Sequence, residues 1–169
     1  MESTRGSSIF IGAGANLAHP TYGSPRETLE AAFLELEGRG VRVQRVSPWY
    51  CTAPVPASDQ PWYQNAVVEV VTDLGPDKLL ATLHEVEEAF GRVRTVANAA
   101  RMIDLDLLDF RGEIAPERPG RATLPHPRLA ARAFVLRPLA DLAPDWRHPV
   151  TGEPVQALLA ALPFDGGGV

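Results

Sequence analysis

Apolar and polar positions along this chain follow two periods, and the changes between them mark its elements. Ser8-Ile9-Phe10-Ile11 is a short apolar run ending at Gly12, which predicts a buried first strand. Gly12, Gly14 and Asn16 predict a tight loop after it. Ser24-Pro25-Arg26-Glu27 predicts a helix start: Ser24 caps, Pro25 suits the first helical position, and Glu27 completes a capping box. Leu29, Phe33 and Leu36 follow at helical spacing, and Gly38 and Gly40 end the helix. Val41-Arg42-Val43-Gln44 alternates like a half-exposed strand. Prolines at 48, 54, 56 and 61 predict a loop over that stretch. Tyr63 to Thr72 is β-rich and predicts a long strand. Gly75-Pro76 opens a second helix with Leu79, Leu83, Val86 and Phe90 on one stripe, and Gly91 is its terminator. Thr95 to Ala100 is small and polar, a mobile loop. Arg101 to Phe110 alternates again, with Ile103, Leu105 and Leu107 on one face. Arg111 to Thr123 predicts a loop, and Leu129 to Leu142 a mostly helical stretch interrupted at Pro138.

The order strand, helix, strand, strand, helix, strand predicts an α+β fold with a ferredoxin-like core, a mostly antiparallel sheet with helices packed on it. At 169 residues the chain is expected to form a single domain, 1–169, with frayed tails at 1–7 and 165–169. It shows no internal repeat. Cys51 is the single cysteine, so no disulfide framework exists and a cytoplasmic setting is expected. MESTRGSS lacks the features of a signal peptide, and no apolar run approaches the roughly 18 residues that span a membrane. The net charge of -5 argues against a general nucleic-acid binder. Yet nine arginines between Arg92 and Arg137 face five acids there, a local balance of +4. Arginine favours forked recognition of phosphate or carboxylate, although a solvated face has the same composition.

The sharpest chemical feature is Asp104-Leu105-Asp106 inside an apolar strand. Alternation puts both carboxylates on one face, about 7 Å apart, where they can share hard cations such as Mg²⁺ with water and phosphate. A solvated acidic edge strand would read the same way. Arg92, Arg94 and Arg101 precede the pair, either for an anion or as salt-bridge partners. Tyr63 and Asn65 share a strand face, so a ring plate sits beside an amide, an arrangement able to hold a flat heterocycle. Phe134 is a candidate opposing plate or a core residue. His126 lies between Pro125 and Pro127, which fix its backbone. Glu87 reads by default as a surface acid of the second helix. No Walker-type phosphate loop and no Cys/His zinc cluster occurs, and Lys78 is the only lysine.

Together these pieces resemble bacterial 6-hydroxymethyl-7,8-dihydropterin pyrophosphokinases. The resemblance rests on Gly14-Ala15-Asn16-Leu17, Tyr50-Cys51-Thr52-Ala53-Pro54 and Asp59-Gln60-Pro61-Trp62-Tyr63-Gln64-Asn65-Ala66. It continues through Gly91-Arg92-Val93-Arg94, Arg101-Met102-Ile103-Asp104-Leu105-Asp106 and Leu124-Pro125-His126-Pro127-Arg128-Leu129, then Arg132 and Phe134. It implies transfer of pyrophosphate from the co-substrate ATP to the pterin's hydroxymethyl oxygen in folate biosynthesis, with AMP leaving. By the same resemblance Asp104 and Asp106 hold two Mg²⁺ ions, and Arg92 and Arg101 grip phosphates. His126 and Arg132 lie on the nucleotide's phosphate side, and Glu87, Leu107, Arg121 and Thr123 match further nucleotide contacts. Tyr63 and Phe134 sandwich the pterin, Asn65 reads its edge, and Thr52, Ala53, Pro54 and Val55 supply backbone contacts. A monomer acting on small molecules, with neither nucleic acid nor membrane as partner, is expected. Four departures stand out. Ala15 replaces a usual serine, Asn98-Ala99-Ala100 replaces a usual Trp-Gly-Pro, Pro127 replaces a frequent tyrosine, and the segment from His19 to Ser24 is longer than usual.

Overall fold

Ser24 begins the first helix as its neighbours dictate. The Glu27 N–H donates to Ser24 Oγ at 3.2 Å, and the Ser24 N–H donates to Glu27 Oε1 at 2.9 Å. Two otherwise orphaned N–H groups are thereby satisfied, and α1 runs Pro25–Gly38. The computed structural model describes residues 8–53, 59, 61–91 and 102–162. Within them lie strands β1 (Ile9–Ala15), β2 (Val41–Val46), β3 (Tyr50–Thr52), β4 (Tyr63–Thr72) and β5 (Asp104–Phe110). The other helices are α2 (Pro76–Ala89), α3 (Ala133–Leu142) and α4 (Val155–Ala161), with a 3₁₀ turn at Leu129–Ala131.

The sheet order is β2-β4-β1-β5, every pairing is antiparallel, and β3 joins β4 beside β2. This is the expected ferredoxin-like arrangement. β2 and β3 occupy one edge of β4 in succession, with Ser47 at the break. The Ser47 N–H donates to the Val67 carbonyl, and the Val67 N–H donates back to Ser47 Oγ, each at 2.9 Å.

Alternation along the strands sorts the core into two layers. Ile9, Ile11, Ala13 and Ala15 of β1 face α1 and α2, with Val68, Val70, Leu105 and Leu107, and meet Leu29, Leu36, Leu79, Leu83 and Val86. On the other face Phe10, Val67 and Leu108 meet α3 and α4 through Leu136, Leu139, Val155 and Leu158, with Trp146 closing the end. Each fully buried leucine contributes roughly 1.5–3 kcal/mol. Trp146 also donates its indole N–H to buried Asp109 at 2.8 Å. Burial pushes the Asp109 carboxyl up, against the pull of that bond and of the Gly112 N–H.

Four expectations are corrected. β1 does not stop at Gly12 but runs to Ala15, because glycine in a strand permits the close approaches described below. The proline-rich loop contains β3, whose residues lie between the prolines. α3 continues through the buried Pro138, and the break falls instead at Arg132, whose extended φ of -119° and ψ of 105° separate the 3₁₀ turn from α3. α4 was not anticipated. The expected mobile loop at 95–100 and both frayed tails lie outside the described residues.

Candidate active site

The register of three strands lays out the site in rows. Asn65 of β4, Gly14 of β1 and Asp104 of β5 stand side by side, and Val67, Gly12 and Asp106 form the adjacent row. All six occupy the face of the sheet that carries α3. The two glycines leave the middle strand bare between an amide and a carboxylate. A Cβ on Gly14 would lie 2.7 Å from Asn65 Oδ1, so no larger residue fits without displacing it. On Gly12 a Cβ would meet Leu108 at 3.4 Å, an ordinary contact.

This floor underlies a cavity of about 270 Å³. Tyr63 and Phe134 both line it, with Thr52, Ala53 and Asn65. The Asn65 amide donates to Thr52 Oγ1, which orients its oxygen and binds β3 to β4. Asn16 holds the approach to β4 by donating to the Pro61 carbonyl at 3.0 Å. On the other side stand Asp104, Asp106, His126 and Arg132. Arg132 lies 3.7 Å from Asp106, and its guanidinium sits 5.4 Å from the Phe134 ring centroid. Burial, then the nearby Arg128 charge, pull the Arg132 guanidinium below its usual basicity.

His126 is fixed by its backbone, whose N–H donates to the Leu108 carbonyl at 2.9 Å. Its Nδ1 accepts from the Arg128 N–H at 3.1 Å. A neutral ring in that position carries its proton on Nε2. Burial lowers the His126 pKa, Asp106 opposes the shift, and Arg132 and Arg128 reinforce it.

A second cavity of about 330 Å³ adjoins the first along β5, the sheet's edge. Glu87, Leu107, Arg121, Thr123 and His126 line it, and Asp106 and His126 belong to both cavities. The 121–123 segment is tethered to α2 by the Ala122 N–H, which donates to Asp77 at 2.7 Å, and by Arg121, 3.7 Å from Asp77. Glu87 corrects its expected place on the surface. It is only 3% exposed and accepts the Leu105 N–H at 2.8 Å, in the strand that carries both aspartates. Helical spacing held the signal, since Glu87 lies four residues after buried Leu83 and three before Phe90.

The structure thus brings together Thr52, Ala53, Tyr63, Asn65, Phe134, Asp104, Asp106, His126 and Arg132 around one cavity. Glu87, Leu107, Arg121 and Thr123 meet around its neighbour. Pro54, Val55, Arg92, Arg94 and Arg101 lie outside the described residues, as does the Asn98 segment. Sequence reasoning gave no role to Gly12 and Gly14 as a floor, or to Arg128, which also lines the first cavity. Ala15 is buried among the residues facing α1 and α2, so its departure from serine does not touch the cavity.

Among the described residues no cluster of three or more His, Cys, Asp or Glu could hold a metal ion. The donor set still fits Mg²⁺, which favours one or two carboxylates completed by water and phosphate oxygens over an all-protein cage. It does not fit zinc, which takes three or four nitrogen or sulfur-rich protein ligands.

A family model described as 7,8-dihydro-6-hydroxymethylpterin-pyrophosphokinase matches residues 10–144. A 2-amino-4-hydroxy-6-hydroxymethyldihydropteridine pyrophosphokinase of Pseudomonas aeruginosa is 43% identical over 94% of this chain and 93% of its own length. The folic acid synthesis protein fol1 of Schizosaccharomyces pombe is 36% identical over 98% of this chain, which spans only 22% of it. The Plasmodium falciparum HPPK-DHPS crystal structure with pteroate superposes with a TM-score of 0.69, covering 90% of this chain and 44% of that one at 13% identity. At that identity the likeness speaks for the fold.

Proposed function

The chain belongs to the 7,8-dihydro-6-hydroxymethylpterin-pyrophosphokinase family, and we propose that its two adjoining cavities divide the two substrates of pyrophosphoryl transfer. It is an ATP-dependent transferase of folate biosynthesis. The pterin ring lies between Tyr63 and Phe134 with Asn65 on its edge, and the nucleotide extends past Asp106 toward Glu87, Leu107, Arg121 and Thr123. One observation supports this reading above the rest. Asp104 and Asp106 open on the same cavity as Tyr63, Asn65 and Phe134, so an alcohol on a ring in the slot faces the metal-binding carboxylates.

In this reaction the pterin's hydroxymethyl oxygen bonds to the β-phosphorus of ATP. The β-phosphorus–oxygen bond to the α-phosphate breaks, AMP leaves with the bridging oxygen, and the alcohol's proton passes to solvent. Asp104 and Asp106 would hold Mg²⁺, two ions by family resemblance, whose charge offsets that of the triphosphate. The chain's own task is positioning. Arg132 and a His126 Nε2–H donate to phosphate oxygens, and Arg92 and Arg101 add charge by family resemblance. Little covalent help is required, because phosphoryl transfer proceeds largely through alignment and charge neutralisation. The chain acts as a cytoplasmic monomer and a single domain in this proposal.

The test is AMP release from ATP and 6-hydroxymethyl-7,8-dihydropterin with Mg²⁺ present. Asp104→Asn and Asp106→Asn should each abolish release while circular dichroism and the melting temperature stay near those of the parent. Retained turnover in both variants would refute the carboxylates' role.

A further inference from the structure

Arg128 is a cation with no evident structural duty. It is exposed at the mouth of the first cavity beside Asp104, Asp106, His126 and Arg132. Its backbone N–H holds His126 Nδ1, but among the described residues its guanidinium takes part in no ion pair. Arg132 is half-committed to Asp106 at 3.7 Å, and the Arg128 charge is felt at both Arg132 and His126. Two guanidiniums converging on one space repel each other unless an anion lies between them. A forked donor also suits phosphate oxygens.

The position of Arg128 further selects which phosphates. It lines the cavity that holds Tyr63, Asn65 and Phe134, and it does not line the one that holds Glu87, Arg121 and Thr123. The geometry points to Arg128 as a binding residue for the transferred pyrophosphoryl group, on the pterin side of the acid pair, rather than for the α-phosphate that departs in AMP. This rests on the division of the cavities proposed above. Arg128 would therefore hold the same two phosphates twice, first as the end of ATP and then as the diphosphate of the pterin product.

Calorimetric titrations of the full chain with four probes test this. The probes are α,β-methylene-ATP with Mg²⁺, the pterin diphosphate with Mg²⁺, AMP, and 6-hydroxymethylpterin. Losing charge-assisted hydrogen bonds in Arg128→Gln should weaken the first two about ten- to a hundredfold. Affinity for AMP and for the bare pterin should hold within about twofold, and Arg128→Lys should recover part of the loss. The substitution spares the backbone N–H to His126, so an unchanged melting temperature is expected and separates binding from folding. Unchanged affinity for the pterin diphosphate, or an equal loss for AMP, overturns the assignment. If the unsubstituted protein itself fails to bind both the ATP analogue and the pterin, the proposed division of the cavities falls, and this inference with it.

Discussion

Gly14→Ala adds one methyl group at the centre of the site and tests whether the bare strand is a requirement. The added Cβ would lie 2.7 Å from Asn65 Oδ1, far inside van der Waals contact. Asn65 is 7% exposed and its amide donates to Thr52, itself 8% exposed, so its side chain has little room to retreat. Overpacking of this kind costs about 1–3 kcal/mol. Losing the buried Asn65–Thr52 bond adds about 1 kcal/mol. Replacing glycine returns about 0.4–1 kcal/mol through a less flexible unfolded chain. The net loss is about 2 kcal/mol, or roughly 4–8 °C in melting temperature for a domain of this size. In the proposed binding mode the displaced amide would no longer face the ring, so the KM for the pterin should rise at least tenfold while that for ATP changes little. Gly12→Ala is the control: its Cβ would meet the end of the Leu108 side chain at 3.4 Å, so its loss should stay below about 1 kcal/mol. Thermal melts and steady-state AMP release on both variants give the comparison. Equal behaviour of the two variants, or a Gly14→Ala protein with normal pterin KM, would refute the reasoning.

Two further outcomes follow from the same geometry. Glu87→Ala removes the acceptor of the Leu105 N–H, costing about 1–3 kcal/mol, and should raise the Mg²⁺ concentration needed for half-maximal AMP release; Glu87→Gln keeps an oxygen there and should restore most of both. A normal Mg²⁺ titration in Glu87→Ala would separate this carboxylate from the acid pair. Tyr50 donates to Asp141 of α3, and burial, then that bond and the Asp141 charge, push its phenol up to about 12. Because the folded pKa lies above the ordinary value near 10, the associated stability is complete below pH 10 and is lost as pH rises toward 12. Urea midpoints of the parent and Tyr50→Phe should therefore converge between pH 10 and 12, and a constant gap would contradict the half-buried, bonded phenol.

Much of this arrangement is legible in the sequence where local chemistry and tertiary need agree. The capping box at Ser24 marks α1 because the same residues satisfy the helix end in any context. The apolar run of β4 and the stripe of α2 match their elements, and Asp104 and Asp106 face one cavity as alternation requires. Legibility fails where tertiary contacts override local preference. Gly12 and Gly14 read as a turn because glycine is a poor strand former, yet both complete β1 by pairing with β4 and β5, and at Gly14 a side chain would strike Asn65. Pro138 reads as a break, but packing against Val67 and its neighbours carries α3 through it. α4 offers only seven residues and no side-chain cap, and Val155 and Leu158 make it worthwhile only once α3 and Trp146 present an apolar surface.

The same register that positions the acids also sets their distance from the ring slot. Asn65 and Asp104 flank Gly14 from the two neighbouring strands, so their backbones stand two strand spacings apart, roughly 9–10 Å. In the proposed binding mode, a ring lying along Asn65 with a one-carbon alcohol pointing across β1 would cover much of that span, and phosphate oxygens reaching toward Asp104 and Asp106 would cover the rest. The separation is therefore a property of the sheet and not of loops. It is guarded by the core, because sliding β5 by one residue would turn Leu105 and Leu107 into the cavity and both aspartates toward α1 and α2. The same slip would withdraw the Leu105 N–H from Glu87. Burial of the two leucines thus selects the register in which both carboxylates face the cavity, so the packing of one face of the sheet fixes which side chains the other face presents.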